Sequence, residues 1–410
     1  MQGRMVKVRT ERSTPSGGSE NVICFGEFDQ VTGTWLERVH AGIQLIYLDP
    51  PFFTGRQFKR RVSAEEETID VLTYGDIWDN MEAYLAMIRR ALVRAHTLLA
   101  PGGSIFVHVD FRTSAHIRLL LDEIFGYKSF VNEIIWVYES GGRSRKHFSR
   151  KHDTIFFYAK SKAYFFDLST IPSGTRGENK ENHMKRETDS SGRTFRTIRS
   201  HGKEYRYYDD EPVYPSDVWT DISHLQQRDP ERTGYNTQKP IKLLKRIIGS
   251  ASREGDLVAD FFAGSGTTGV AAAQLGRRFY LGDMSRQAVM MMDTRLLKEK
   301  DAYCIEEETH LDSASLEVEI QKTANDITVR LTSFVLPNDD PETKLTGLKA
   351  IDHWSAGFLE GDTYIRLCTS FRPNHLLSFA TSQADRKDLA VMIWDYLGNR
   401  RCFRLAEIGE

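Results

Sequence analysis

The chain alternates short apolar runs with stretches of helical spacing. Asn21–Phe25 (NVICF) and Gln44–Leu48 (QLIYL) read as buried strands. From Asp79 to Ala100, apolar residues recur at helical spacing (Met81, Leu85, Ile88, Leu92), with Asp79 or Asn80 as cap and Pro101-Gly102-Gly103 as stop. Ser104–Val109 (SIFVHV) is β-rich, and Ser114–Phe125 predicts a second amphipathic helix closed by Gly126. Glu133–Tyr138 (EIIWVY) and Thr154–Ala159 (TIFFYA) predict two more strands. No period dominates residues 161–235. The rhythm returns with a helix over Pro240–Ala251, the strand Asp256–Asp260, a Gly-rich turn at Phe261–Gly266, a helix closed by Gly276, the strand Arg278–Leu281 and a helix to about Lys300. Seven strands separated mostly by helices predict an α/β fold with a doubly wound sheet. Residues 1–20 lack periodicity and read as a flexible tail. Beyond an acidic stretch at 301–345, short β-like runs (Ile327–Val335, Tyr364–Thr369, Leu389–Trp394, Cys402–Leu405) predict a small C-terminal β domain.

Composition narrows the class. The 410 residues suffice for two or three domains, and 40% hydrophobic with 27% charged residues fits a soluble globular chain. No run is long enough for a membrane span, and the basic start lacks the apolar core of a secretory signal. Cys24, Cys304, Cys368 and Cys402 form no C-x-x-C pair, which argues against a disulfide framework or a thiolate zinc site and fits a reducing cytoplasm. The net charge of −2 conceals a polarised chain. Residues 141–206 carry 16 Lys+Arg and 7 Asp+Glu, a net of +9, whereas residues 301–345 net −8 from 11 acids and 3 bases.

Three segments bear chemistry. Asp260-Phe261-Phe262-Ala263-Gly264-Ser265-Gly266-Thr267-Thr268 lies between a strand and a helix. Its glycines permit close backbone approach to a ligand, although the dinucleotide spacing G-x-G-x-x-G is absent. Asp283 ends the next strand, where an acid can accept from ribose hydroxyls. The second segment, Asp49-Pro50-Pro51-Phe52, is a rigid turn with a carboxylate, exposed carbonyls and an aromatic ring, a set suited to an exocyclic amine on a planar base. Thr237-Gln238-Lys239-Pro240 is the third and, by itself, reads as a helix start.

In this order the motifs resemble the beta class of DNA amino-methyltransferases, over roughly residues 21–300. Leu121–Gly126, Asn132–Trp136 and Lys151–Lys160 further resemble modification subunits of type III restriction systems, as do Ile351–Trp354 and Trp394–Asn399 more weakly. The resemblance implies a Rossmann-like, seven-stranded S-adenosylmethionine-dependent methyltransferase sheet, circularly permuted so that its first two strands come last. The catalytic domain would comprise residues 21–160 and 236–300. A target-recognition insertion would occupy 161–235, and an acidic linker with a small β-rich domain 301–410. Asp49 and the Pro50 carbonyl would bind the amine's two N–H groups, with Pro51 stiffening the turn and Phe52 stacking on a flipped-out base. Cofactor contacts would fall to Asp260, Phe261, Gly264, Gly266, Thr267, Asp283, Thr237, Lys239 and Pro240. Glu27 stands where the family usually has Asp. Asp at the head of the tetrapeptide implies adenine N6. Cytosine N4, an RNA target, and a non-catalytic subunit with a vestigial fold are the alternatives.

The basic, Gly-containing stretch offers Arg143, Arg145, Lys146, Arg150 and Lys151 to the phosphates of double-stranded DNA. The resemblance also leaves room for a restriction subunit and a homodimer as partners, and calls for no metal.

Overall fold

The computed structural model describes residues 4–10, 21–39, 42–64, 67–138, 144–171, 175, 185–299, 302–309, 314–336, 345–380 and 388–405. The fold is α/β, built on a large mixed sheet. At its centre run the parallel strands Asn21–Phe25, Arg278–Asp283, Leu257–Asp260, Ile43–Leu48 and Leu99–Val109, in that spatial order. The two late strands thus sit between the two early ones. His152–Ala159 and Phe130–Val137 extend this side antiparallel to Leu99–Val109 and to each other.

Strand alternation explains the layers. Ile46 and Leu48 point to one face and share a core with Trp35, Tyr84, Leu92 and Leu121 from the helices Phe28–Arg38, Met81–Leu98 and Ser114–Phe125. Leu45 and Tyr47 point to the other face, against Leu244, Val270 and Met290 from Ile241–Ala251, Thr267–Gln274 and Arg286–Glu299. Asn80 caps the second helix, its Oδ1 accepting from Ala83 N–H at 2.9 Å.

Several elements depart from the sequence reading. Residues 4–10, expected in a flexible tail, form a strand antiparallel to Tyr303–Thr309 and parallel to Thr363–Phe371. Tyr303–Thr309 lies in the stretch expected as an acidic linker, yet pairs in parallel with Asn21–Phe25. Through these two strands the C-terminal strands continue the main sheet, which reaches fourteen strands among the described residues. Main-chain pairing drives this, because alternate residues such as Cys304 and Ile305 are fully buried whatever the charge of their neighbours. Pro101-Gly102-Gly103, expected as a helix stop, falls inside the strand Leu99–Val109. Within 161–235 a separate three-stranded sheet forms from Arg186–Thr188, Thr194–Ser200 and Lys203–Tyr208.

The spacing did not reveal a hairpin of Arg56–Ala64 and Glu67–Asp76. Its Val62, Ile69 and Val71 share a third core with Trp354, Phe358 and Ile393 of the C-terminal strands. Arg60 reinforces that contact with a 3.2 Å bond to Asp352.

Candidate active site

The central parallel strands deliver their C-terminal ends to one edge, the place where open α/β sheets bind ligands. Asp49 follows Leu48, Asp260 ends its strand, and Asp283 pairs with Phe25 in register. These acids line one cavity of about 460 Å3 with Glu27, Pro51, Thr237, Lys239, Phe261, Gly264 and Thr267. The remaining expected site residues lie outside its lining. Pro50 is buried, Pro240 caps the next helix, Gly266 sits behind the turn against Met292, and Phe52 packs 5.8 Å from His108.

Asp283 organises the glycine turn. Its Oδ2 accepts from Gly264 N–H and its Oδ1 from Ser285 N–H, both at 2.8 Å. Desolvation still pushes its carboxyl up to about 6. Asp260 is 2% exposed, and burial pushes it up to about 7, aided by repulsion from Asp49 and Asp283. Bonds from Thr268 Oγ1 at 2.7 Å and Phe262 N–H at 3.0 Å oppose that rise. Gly264 and Gly266 take positive φ of 50° and 76°, which favours glycine at both positions. Behind the turn, the buried Arg295 donates to the Ser265 carbonyl at 2.8 Å and to Thr267 Oγ1 at 2.9 Å.

The Asp-Pro-Pro-Phe turn is held differently. Lys239 Nζ donates to Asp49 Oδ2 and lies 5.1 Å from the Phe52 ring centre. Asp49 Oδ1 is buried and accepts no hydrogen bond within the described protein. The Pro51 carbonyl is already taken by Tyr84 Oη at 2.8 Å. Beneath the turn, the fully buried His108 links Tyr47 Oη at 2.9 Å to Asp153 Oδ2 at 3.2 Å.

Sequence reasoning missed Tyr47, Tyr74, Trp78, Tyr235, Phe262 and Ser285, all of which line the cavity. Phe262 and Ser285 adjoin recognised motifs and so had a signal. Tyr74 and Trp78 come from the unforeseen hairpin and its exit, so spacing gave none.

Of the expected DNA contacts, Arg145, Lys146 and Arg150 are exposed, Lys151 is half-buried, and Arg143 lies outside the described residues. Arg150 stacks its guanidinium 3.8 Å from the centre of the half-exposed Phe111 ring. Among the described residues, no cluster of metal-ligating side chains occurs and no helix is long and apolar enough to cross a membrane.

An acid-lined crevice at the strand ends of such a sheet defines a class of nucleoside-binding α/β proteins. Comparison with known sequences makes the class specific. The DNA methylase family matches residues 43–293, and the chain belongs to it. The chain is 30% identical over 285 residues to the type II methyltransferase M.EcaI of Enterobacter cloacae, covering 58% of this chain and 60% of that protein. It is 28% identical over 275 residues to the DNA adenine methyltransferase YhdJ of Escherichia coli (strain K12), covering 66% and 82%. A solved structure of a DNA modification methylase from Thermus thermophilus, complexed with S-adenosyl-L-methionine, aligns at 18% identity and a TM-score of 0.43, covering 70% and 96%.

Proposed function

We propose that this chain methylates adenine N6 in duplex DNA, with S-adenosylmethionine as donor and the target base flipped out of the helix. The observation that carries this reading is the shared cavity. An unpartnered acceptor, Asp49 Oδ1, stands in the same cavity as the strand-end acids Asp260 and Asp283.

The cavity residues fit the donor chemically. The volume lies in the range of small-molecule sites, roughly 300–1,000 Å3. Asp283 accepts two backbone bonds and is still partly open to the cavity, so it can take a ribose hydroxyl. Gly264 and Gly266 leave their turn without side chains, while Glu27, Phe261, Thr237 and Thr267 line the walls. When bound, S-adenosylmethionine supplies an electrophilic methyl group.

The protein's task is to make a poor nucleophile react. The lone pair of an aromatic amine is delocalised into its ring. Asp49 Oδ1 and the Pro50 carbonyl each accept one N–H, which favours a pyramidal nitrogen and localises the pair. Lys239 fixes Oδ2 and leaves Oδ1 for the substrate. In this assignment Lys239 serves the catalytic acid, and Pro240 starts the helix behind it. Phe52 offers a face for the base, and Pro51 with its carbonyl bond to Tyr84 keeps the turn rigid. Flipping is required because the amine is otherwise inside the duplex. Arg145, Lys146, Arg150 and Lys151 would follow the phosphates, and the insertion at 161–235 would read the target. The type III likeness, a nuclease partner and a homodimer belong to the same proposal.

The test is expression in a methylation-free host, followed by sequencing with modified-base detection. Methyladenine in one motif, lost on Asp49→Ala, is the expected result. Methylcytosine alone would overturn the choice of base. Purified protein that binds S-adenosylmethionine but methylates no DNA would overturn the enzymatic reading.

A further inference from the structure

We infer that Asp76, outside every recognised motif, is the positioning residue that sets the geometry of the catalytic turn; this rests on the methyltransferase reading above. Asp76 ends the hairpin Arg56–Asp76 and is 1% exposed. Its carboxylate accepts five hydrogen bonds. Oδ2 takes Phe52 N–H at 3.2 Å, Thr54 N–H at 2.7 Å and Thr54 Oγ1 at 2.7 Å. Oδ1 takes Phe53 N–H at 3.1 Å and Trp78 Nε1 at 3.0 Å.

The reason lies in the turn itself. Pro50 and Pro51 have no N–H groups, so no acceptor can hold the turn at those positions. The first donors after them are Phe52, Phe53 and Thr54, and one carboxylate gathers all three. Phe53 is also left-handed, at φ 58°, which is costly for a bulky L-residue. Three converging N–H groups on a buried anion compensate that cost and fix where the Phe52 ring and the Asp49 carboxylate stand. The hairpin supporting Asp76 is tied in turn to the cofactor side, since Ser285 Oγ, two residues from Asp283, donates to the Thr73 carbonyl at 2.5 Å. It is also tied to the C-terminal strands through Arg60 and Asp352. A group that holds reacting atoms in place acts on turnover more than on ground-state affinity.

Asp76→Asn keeps the volume but turns one acceptor oxygen into a donor facing N–H groups. We expect kcat for DNA methylation to fall about 100-fold, as for a misplacement on the order of 1 Å. S-adenosylmethionine affinity by calorimetry should change less than about threefold. Thr54→Ala combined with Trp78→Phe removes two donors and leaves the three backbone bonds, so it should lower kcat by a smaller factor with the fold intact. Asp70→Asn is the control, an exposed acid on the same hairpin, and should leave kcat unchanged. An Asp76→Asn enzyme that turns over within threefold of wild type would refute the role. So would equal losses of kcat and cofactor affinity in both Asp76→Asn and the Thr54/Trp78 variant, which would mark a purely structural residue. Wild-type protein assayed in parallel separates the two levels: if it too transfers no methyl group, the functional reading fails first.

Discussion

Asp260→Asn tests the claim that the strand-end acids are held against their electrostatic preference. Burial raises the Asp260 carboxyl from 3.8 to about 7. An acid with a raised folded value binds its proton more tightly folded than unfolded. Its contribution is therefore most favourable below about pH 4 and is lost as pH rises through about 7. Three units correspond to about 4 kcal/mol. Asn has no proton to lose and keeps one acceptor for Phe262 N–H, while the Thr268 hydroxyl can turn to accept from the new amide. The substitution thus carries a pH-independent cost of about 1 kcal/mol for the changed bond to Thr268. On top of that, the variant should gain up to about 4 kcal/mol relative to wild type between pH 4 and pH 8. Urea unfolding of the ligand-free protein at five pH values in that window measures the difference directly. A wild-type minus variant difference that stays flat within about 1 kcal/mol would refute the argument, because the lost hydrogen bond alone predicts a constant offset.

Other expectations follow from equally local geometry. Gly266→Ala should lower the urea midpoint without changing its slope, at a cost of about 1–3 kcal/mol, since the turn needs φ 76° and a Cβ would meet Met292 Cγ at 2.8 Å. Arg366→Met should cost about 3–5 kcal/mol by equilibrium unfolding, because it strips two 2.8 Å bonds from the fully buried Asp293 and leaves Tyr303 and His353 as its partners. Burial works against ionised Asp293, but Arg366 and His353 hold its carboxyl well below the usual range. Its stabilisation is therefore lost as pH falls, and the variant should show a weaker acid-induced loss than wild type. Arg145→Glu with Lys146→Glu should weaken DNA binding and flatten its salt dependence while sparing cofactor affinity. Unchanged DNA affinity in filter binding would remove that stretch from the interface.

Three acids of the site were legible because each closes an apolar run. A strand five or six residues long followed by Asp, Gly or Pro places its last side chain at a sheet edge, and parallel pairing then brings all such edges together. Asp49, Asp260 and Asp283 need no more than this. The N-terminal strand was not legible, since Arg4–Thr10 is mostly polar and its partners lie some 300 and 360 positions away. The hairpin was hidden for a related reason. Its inward positions carry Arg60 among Val62, Ile69 and Val71, and its charged outer face masks the two-residue period. Lys239 was legible as a motif residue, but its direction was not, because a spacing does not say whether a side chain turns to the donor or to the catalytic acid.

The hairpin also explains why the C-terminal strands belong to the catalytic unit in physical terms. A two-stranded ribbon is marginal on its own in water. This one is anchored because Val62, Ile69 and Val71 are buried against Trp354, Phe358 and Ile393, and because Arg60 finds Asp352. Asp352 is held down to about 2 despite its burial, through His353 and Arg60, and His353 in turn reaches Asp293 on the helix Arg286–Glu299 behind the glycine turn. The catalytic turn, with two prolines and one left-handed phenylalanine, cannot hold its own shape. Its geometry is set by a carboxylate on a ribbon, the ribbon by a β core some 300 residues further along the chain, and that core by a buried ionic chain rooted in the catalytic sheet. Placement of Asp49 is thus a property of the whole sheet, although its chemistry is written in four consecutive residues.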